Sequence, residues 1–272
     1  MMREITIGQY YPAKSVIHSL DPRVKLFGTL MYIIALFIAN SVSGFVFMTI
    51  VLSGIIIMSK VPFGYMVKGL KAIVVLLVVA GLFNLFLTPG IPVFTFWKFS
   101  ISMAGIRGAA LMVFRMIYLI IGTSIMSLTT TPNQLTDGLE KSMRPLSAIG
   151  VPVHEIAMMM SIALRFIPIL TEETDKIMKA QMARGADFDS GGIIRKAKAL
   201  VPLLVPLFVS AFRRANDLAL AMEARCYNGG EGRTKMKPLS YETRDGIAYL
   251  IILIAFIGII AVEIFRKKIG FI

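Results

Sequence analysis

Long apolar runs separated by turn residues and lysines constrain this chain more than any other feature. Leu26 to Ala39 is continuously apolar, Asn40-Ser41-Val42-Ser43-Gly44 makes a tight turn, and Phe45 to Met58 is apolar again before Lys60. Each run falls short of the about 20 residues that cross a bilayer, and the small flanking residues complete them. A helical hairpin is therefore expected from about Val24 to Ser59. After Lys60-Val61-Pro62, with Lys68 and Lys71 at its mouth, a third run continues through Leu87 and stops at Thr88-Pro89-Gly90. This reads as a full span. Ile91 to Ser102 carries Phe94, Phe96, Trp97 and Phe99 around Lys98, the composition favoured at a membrane interface, and is expected at the outer surface. A fourth span runs from about Gly105 to Leu128, and the last from Ile247 to Ile264, closed by Arg266-Lys267-Lys268.

Composition agrees with a membrane protein. Of 272 residues 56% are hydrophobic and only 17% charged, and the mean hydropathy is +0.75, outside the soluble range. The net charge of +13 would suggest nucleic acid in a soluble protein. Here it is explained by Lys and Arg kept beside spans on the cytoplasmic side, so no nucleic-acid partner is expected. Cys226 is the only cysteine and the histidines are just His18 and His154. No internal disulfide can form, and no metal site of the chain's own is expected. The polar start, through Lys25, is too long for a cleavable signal peptide.

Lys and Arg also set the expected orientation. Arg3, Lys14, Arg23 and Lys25 precede the first span, none lies in the first turn, and Lys60, Lys68 and Lys71 lie between spans two and three. The N-terminus is then cytoplasmic, although a fifth span places the basic tail outside, against the rule. Arg115 falls inside the fourth span, where a charge is costly. Two readings stand with equal weight: a functional charge, or burial against carbonyls or interfacial water within the bundle.

Between Thr131 and Gly246 the character changes, because 13 of the 16 acidic residues lie there, mixed with Lys and Arg. Apolar runs persist, so this reads as a separate helical region. Thr131 as N-cap and Pro132 at the first helical position announce one helix, and Pro152 opens a second. The second is apolar through MMMSIALRFIPIL, is expected to bend at Pro168, and then becomes amphipathic, with Glu172, Glu173 and Lys176 facing water. Gly191-Gly192 breaks the chain, and LVPLLVPLFV, with Pro202 and Pro206, repeats the design until Gly229-Gly230.

Both amphipathic helices end on an Ala-Arg-small triplet: Ala183-Arg184-Gly185 and Ala224-Arg225-Cys226, with the arginines 41 residues apart. Taken singly, each reads as ordinary helix termination, since a basic residue complements the macrodipole and Gly is the usual C-cap. Together they suggest a plug for an acidic groove, with Ala permitting close approach and Arg offering a planar fork that grips carboxylates. The 18 methionines, with Met158, Met159 and Met160 in a row, suit core packing first. They also suit a surface that accepts more than one partner.

Catalytic motifs are absent: no phosphate loop, dinucleotide fingerprint, nucleophile elbow or His-Glu-x-x-His occurs. Asp137-Gly138 matches only the start of a membrane phosphotransferase motif. The chain does resemble the transmembrane T component of energy-coupling factor (ECF) transporters, prokaryotic ATP-driven importers of vitamins and metal ions. The resemblance covers nearly the whole chain, through HSLDPRVKL at His18 to Leu26, TTTPNQLTDGLE at Thr129 to Glu140, LRFIPIL at Leu164 to Leu170, Ala183-Arg184-Gly185, and EARCYNGGEGRT at Glu223 to Thr234. It implies that the two triplets end coupling helices inserted into two ATP-binding-cassette ATPase subunits. It also implies that the helices cradle a membrane-embedded S component, one or several in exchange, which selects the cargo. The second triplet departs from the pattern in having Cys226 where Gly is usual.

The expected fold is thus an all-α integral membrane protein with about five transmembrane helices and a cytoplasmic coupling region. Residues 1–130 form four spans, 131–245 the coupling region, and 246–272 a C-terminal span. The expected function is a non-catalytic, energy-coupling subunit in the prokaryotic cell membrane, with no cofactor. An integral-membrane enzyme acting on lipid or isoprenoid substrates is the alternative. It would need a polar constellation near the membrane surface.

Overall fold

The structure, a computed structural model, describes residues 10–71, 73–89, 92–96, 99–188, 192–229, 236 and 238–269. Arg3, Trp97, Lys98, Gly191 and Gly230, all used in the sequence reading, lie outside them. The chain divides into two compact units, the described parts of Ile7–Leu139 with Leu239–Ile272, and Glu140–Pro238. Both are helical.

In the first unit, α1 (Pro22–Ile38) starts where Asp21 accepts the Arg23 amide and Pro22 needs no donor. Ser41 caps α2 (Val42–Ser59) through the Gly44 amide at 2.9 Å. Lys60, at φ 53°, ends it in the left-handed region. The chain then forms α3 (Phe63–Lys71) and α4 (Val74–Leu87), which are bent by 64° at their junction. The expected continuous third span is therefore corrected to two short helices. The reason is compositional: α3 has two lysines in nine residues and is amphipathic, whereas the 14 residues of α4 carry no charge.

The aromatic segment is a two-stranded antiparallel hairpin, β1 (Pro92–Phe96) and β2 (Phe99–Ser102), with Phe96 opposite Phe99 and Thr95 opposite Ser100. Periodicity gave no sign of it. Ser102 ends the hairpin and caps α5 (Met103–Thr129) through the Gly105 amide. This helix is the hub of the unit, packing against α1, α2, α3 and α4, while α9 (Thr243–Ile269) packs against α1 and α2. Leu36, Met48, Leu128 and Ile259 are fully buried between them. At Gly122 an added Cβ would sit 2.3 Å from the Tyr32 ring, so only glycine admits that ring, whose hydroxyl donates to the Tyr118 carbonyl at 3.0 Å.

Helix α6 (Pro132–Met143) begins with a reciprocal cap: Thr131 Oγ1 accepts the Gln134 amide, and Gln134 Oε1 accepts the Thr131 amide. In the second unit, a 3₁₀ turn (Arg144–Ile149) leads to α7 (Val153–Ala183), and α8 (Ile193–Ala224) follows. Both run without interruption through their prolines, Pro168 in one and Pro202 and Pro206 in the other.

Five helices among the described residues are long and apolar enough to cross a membrane: α2, α5, α7, α8 and α9. The bent pair α3 and α4 is a sixth candidate. The number matches the expected five but the membership does not. At 17 residues α1 is not among them, whereas the apolar run of α7 and the stretch Lys198–Ala224 of α8 bring those two helices in.

Candidate partner-docking site

Helices α7 and α8 pack against one another. An ion pair between Glu173 of α7 and Arg214 of α8, 41 residues apart, marks a point where they meet. That separation equals the one between Arg184 and Arg225, so each arginine lies eleven residues beyond the ion pair on its own helix. At 1.5 Å per residue, each C-terminal arm is about 16 Å long. The two triplets therefore sit at the tips of equal arms.

The tips share one backbone geometry. Ala183 is the last helical residue of α7 and Arg184 its C-cap; the Gly185 amide donates to Met182 O and the Ala186 amide to Gln181 O, both at 3.0 Å. In α8, Arg225 is the C-cap; the Cys226 amide donates to Glu223 O at 2.8 Å and the Tyr227 amide to Met222 O at 3.0 Å. These are two Schellman motifs. Gly185 has φ 88° and Cys226 φ 56°. The third residue of each triplet is thus the left-handed turn that stops the helix. A Cβ on Gly185 would meet nothing within 4 Å, so its backbone angle, rather than lack of room, calls for glycine.

All six triplet residues are exposed. Neither the Arg184 nor the Arg225 guanidinium has an ion pair or hydrogen bond among the described residues. Both are free to meet an external carboxylate. Along α8, Val205, Phe208 and Phe212 are also more than half exposed and line an open apolar hollow with Arg213 and Asn216. No group of three or more His, Cys, Asp or Glu residues that could hold a metal occurs among the described residues.

In the other unit the structure explains motifs that the sequence showed only as a resemblance. Arg23 donates from Nε and Nη2 to the two Asp21 oxygens at 2.9 and 2.8 Å and lies 3.7 Å over the Tyr241 ring. The Asp21 amide donates to Asp245 Oδ1 at 2.9 Å, and Asp245 is 1% exposed. Lys25 Nζ donates to Thr129 O at 2.9 Å and His18 O at 3.2 Å. An added Cβ on Gly138 would lie 2.8 Å from Pro22 Cβ. The HSLDPRVKL and TTTPNQLTDGLE segments are therefore one joint, locked to the start of α9. Burial alone would raise the Asp21 carboxyl, but hydrogen bonds from Arg23 and the charges of Arg23 and Lys25 carry it below its ordinary value. Arg115 donates to Ala39 O at 2.7 Å and Asn40 Oδ1 at 2.8 Å. Of its two readings, the geometry supports burial against carbonyls.

An integral membrane protein with several spans, and with a pair of helices that end in matched cationic tips, is the class this architecture defines. A profile of the CbiQ family, described as cobalt transport protein, matches residues 13–236. Proteins named energy-coupling factor transporter transmembrane protein EcfT are similar over nearly their whole length. One from Clostridium kluyveri is 56% identical, covering 93% of this chain and 95% of its own. Another from Thermosediminibacter oceani is 51% identical over 92% and 94%, and one from Bacillus subtilis 46% over 94% and 97%. This chain belongs to the family of energy-coupling factor transmembrane proteins, and is a non-catalytic transport component. That membership leaves the membrane-enzyme reading without support.

Proposed function

We propose that the chain couples ATP hydrolysis on two ATP-binding-cassette subunits to a substrate-binding S component, in an importer of vitamins or other micronutrients. One observation carries this reading: two helices that meet at Glu173 and Arg214 end in the same Schellman geometry, each with an exposed, unpartnered arginine at the cap. A planar fork at the tip of a rigid arm suits bidentate docking on a carboxylate in a partner's groove. Ala183, Gly185, Ala224 and Cys226 flank each fork with small side chains that keep the approach open. Two arms of equal reach suit two similar partners.

The asymmetry of Lys and Arg supports a cytoplasmic N-terminus and cytoplasmic tips. The exposed apolar stripe of α8, and the exposed Met159 and Met160 of α7, support a role for these helices in holding the S component. The coupling region then comprises residues 131–245, between the membrane domains of residues 1–130 and 246–272, and its helices α7 and α8 are themselves long and apolar enough to cross a membrane. The cargo is set by the S component. Affinity purification of the tagged chain from native membranes tests the reading. ATPase subunits and at least one small apolar membrane protein should come with it, and ATP turnover should need the ATPases. Recovery of the chain alone under conditions that preserve other transporters would refute it.

A further inference from the structure

Helices α1, α2, α5 and α9 do not close against one another along their whole length. A hollow of about 190 Å³ opens between them at the level of Lys25 and Thr129. A second, of about 300 Å³, reaches Ala35, Met48 and Phe256. The two share Gly28, Tyr32, Ile55, Met58, Ile251 and Ile252, so they form one groove. From Lys25 to Ala35 it runs for about 15 Å along α1. Glycines on three helices line it, but Ile252 fills the space beside Gly28 and Tyr32 that beside Gly122. Beside Gly54 nothing lies within 4 Å.

The groove offers little to hold water. Its polar side chains donate within the protein: Lys25 gives two of its three N–H groups to His18 O and Thr129 O, and the hydroxyls of Thr29, Tyr32 and Thr129 donate to Lys25 O, Tyr118 O and Ile125 O. A water in a cavity needs two to four polar partners. The rim is apolar and exposed, with Ile50 at 66%, Met58 at 47% and Ile251 at 55%. Of the four walls, α2, α5 and α9 are long and apolar enough to cross a membrane, so the rim faces hydrocarbon. An empty groove would forfeit dispersion contacts along its lining.

We propose that this groove seats one acyl chain of a membrane glycerolipid, entering at the end marked by Lys25 and Thr129 and reaching towards Met48. Hydrocarbon is the medium against the rim, and the groove is mostly apolar, elongated and open on its side. The site is built by Gly54, whose missing side chain leaves the space that the lipid fills.

The test uses the full chain in nanodiscs of phosphatidylglycerol containing a tracer with a diazirine at mid-chain, with crosslinks mapped by mass spectrometry. Labelling is expected to concentrate on the groove residues Ile55, Met58 and Ile252, above the level at Val75 and Leu87 of α4, which are 75% and 70% exposed and lie outside the groove. Equal labelling of both regions overturns the proposal. Gly54→Leu places a side chain in the open space and should reduce groove labelling to the α4 level. Gly64→Leu, also in open space but outside the groove, should leave it unchanged. Groove labelling that survives Gly54→Leu also overturns the proposal, and the wild-type pattern decides alone if that variant does not reconstitute.

Discussion

Glu263, near the end of α9, accepts the backbone amide of Ser41 at 3.1 Å and the Ser41 hydroxyl, and the same oxygen takes the Asn40 amide. The carboxylate thus fastens the last helix to the turn between α1 and α2. Arg115 holds the other side of that turn through the Ala39 carbonyl oxygen and the Asn40 side-chain oxygen. The amides and carbonyls that the turn exposes are matched by an acid and a base from two different helices.

Glu263→Ala removes an acceptor from buried donors, each costing about 1–3 kcal/mol when left unsatisfied. The thermal unfolding midpoint in detergent should fall clearly, and Glu263→Gln, which keeps an oxygen in place, should fall less. Equal midpoints for wild type and Glu263→Ala would show that the carboxylate does not hold the turn. A Cβ on Gly44 would lie 2.6 Å from the same carboxylate oxygen, so Gly44→Ala should destabilise by displacing it.

Arg184 and Arg225 are predicted to dock ATPases. Losing one partner of a buried, hydrogen-bonded charge pair costs about 2–5 kcal/mol, so each single alanine change should weaken one attachment and reduce uptake. The double change should be worse, since an assembly held at two points loses the effective concentration supplied by the second. Lysine should rescue only in part, because a point charge does not reproduce the fork. If the arginines serve only the helix dipole, alanine would cost about 0.3–1 kcal/mol and lysine would restore stability fully. ATPase co-purification and ATP-dependent uptake separate the two. Normal assembly and transport by the double alanine variant rules docking out.

Cys226 stands in the left-handed region, which costs an L-residue about 1–2 kcal/mol relative to glycine. Cys226→Gly should therefore raise stability while leaving ATPase binding intact, and Gly185→Ala should lower stability by a similar amount. Thermal unfolding of both variants checks this. A neutral Gly185→Ala would mean that the α7 tip rearranges readily and that its Schellman geometry is not required.

Asp21 gives a pH signature. Its folded value lies below the ordinary 3.8, so the ion pair with Arg23 contributes stability that is present above the unfolded value and lost as pH falls through the lowered folded one. Asp21→Asn keeps an N-cap acceptor but loses the charge. It should be less stable than wild type at neutral pH by about 1–3 kcal/mol, and the gap should close in strong acid. A gap unchanged between pH 7 and pH 2 would exclude the ion pair as its source.

Much of this was readable before any coordinates. Apolar length and the Thr131-Pro132 helix start are local signals, so they located most of the helices, whereas the caps at Asp21 and Ser41 emerged only with the structure. The repeated Ala-Arg-small ends were visible for the same reason, because a helix stop is written in adjacent residues. Less visible was the break between α3 and α4, since a lysine-bearing amphipathic turn and an apolar run join without an obvious stop. The β-hairpin was hidden too, because strand pairing depends on a partner and not on composition.

The sequence by itself determined the membrane class, the helical architecture, the absence of catalytic motifs and the two candidate tips, all of which follow from composition or from residues within one turn of each other. Tertiary structure decided what the buried charges do. Lys25 to Thr129, Asp21 to Asp245 and Glu263 to Ser41 are hydrogen bonds across 104, 224 and 222 residues. No periodicity encodes them. They form because a charge within an apolar bundle must find polar partners wherever packing brings a helix end within reach.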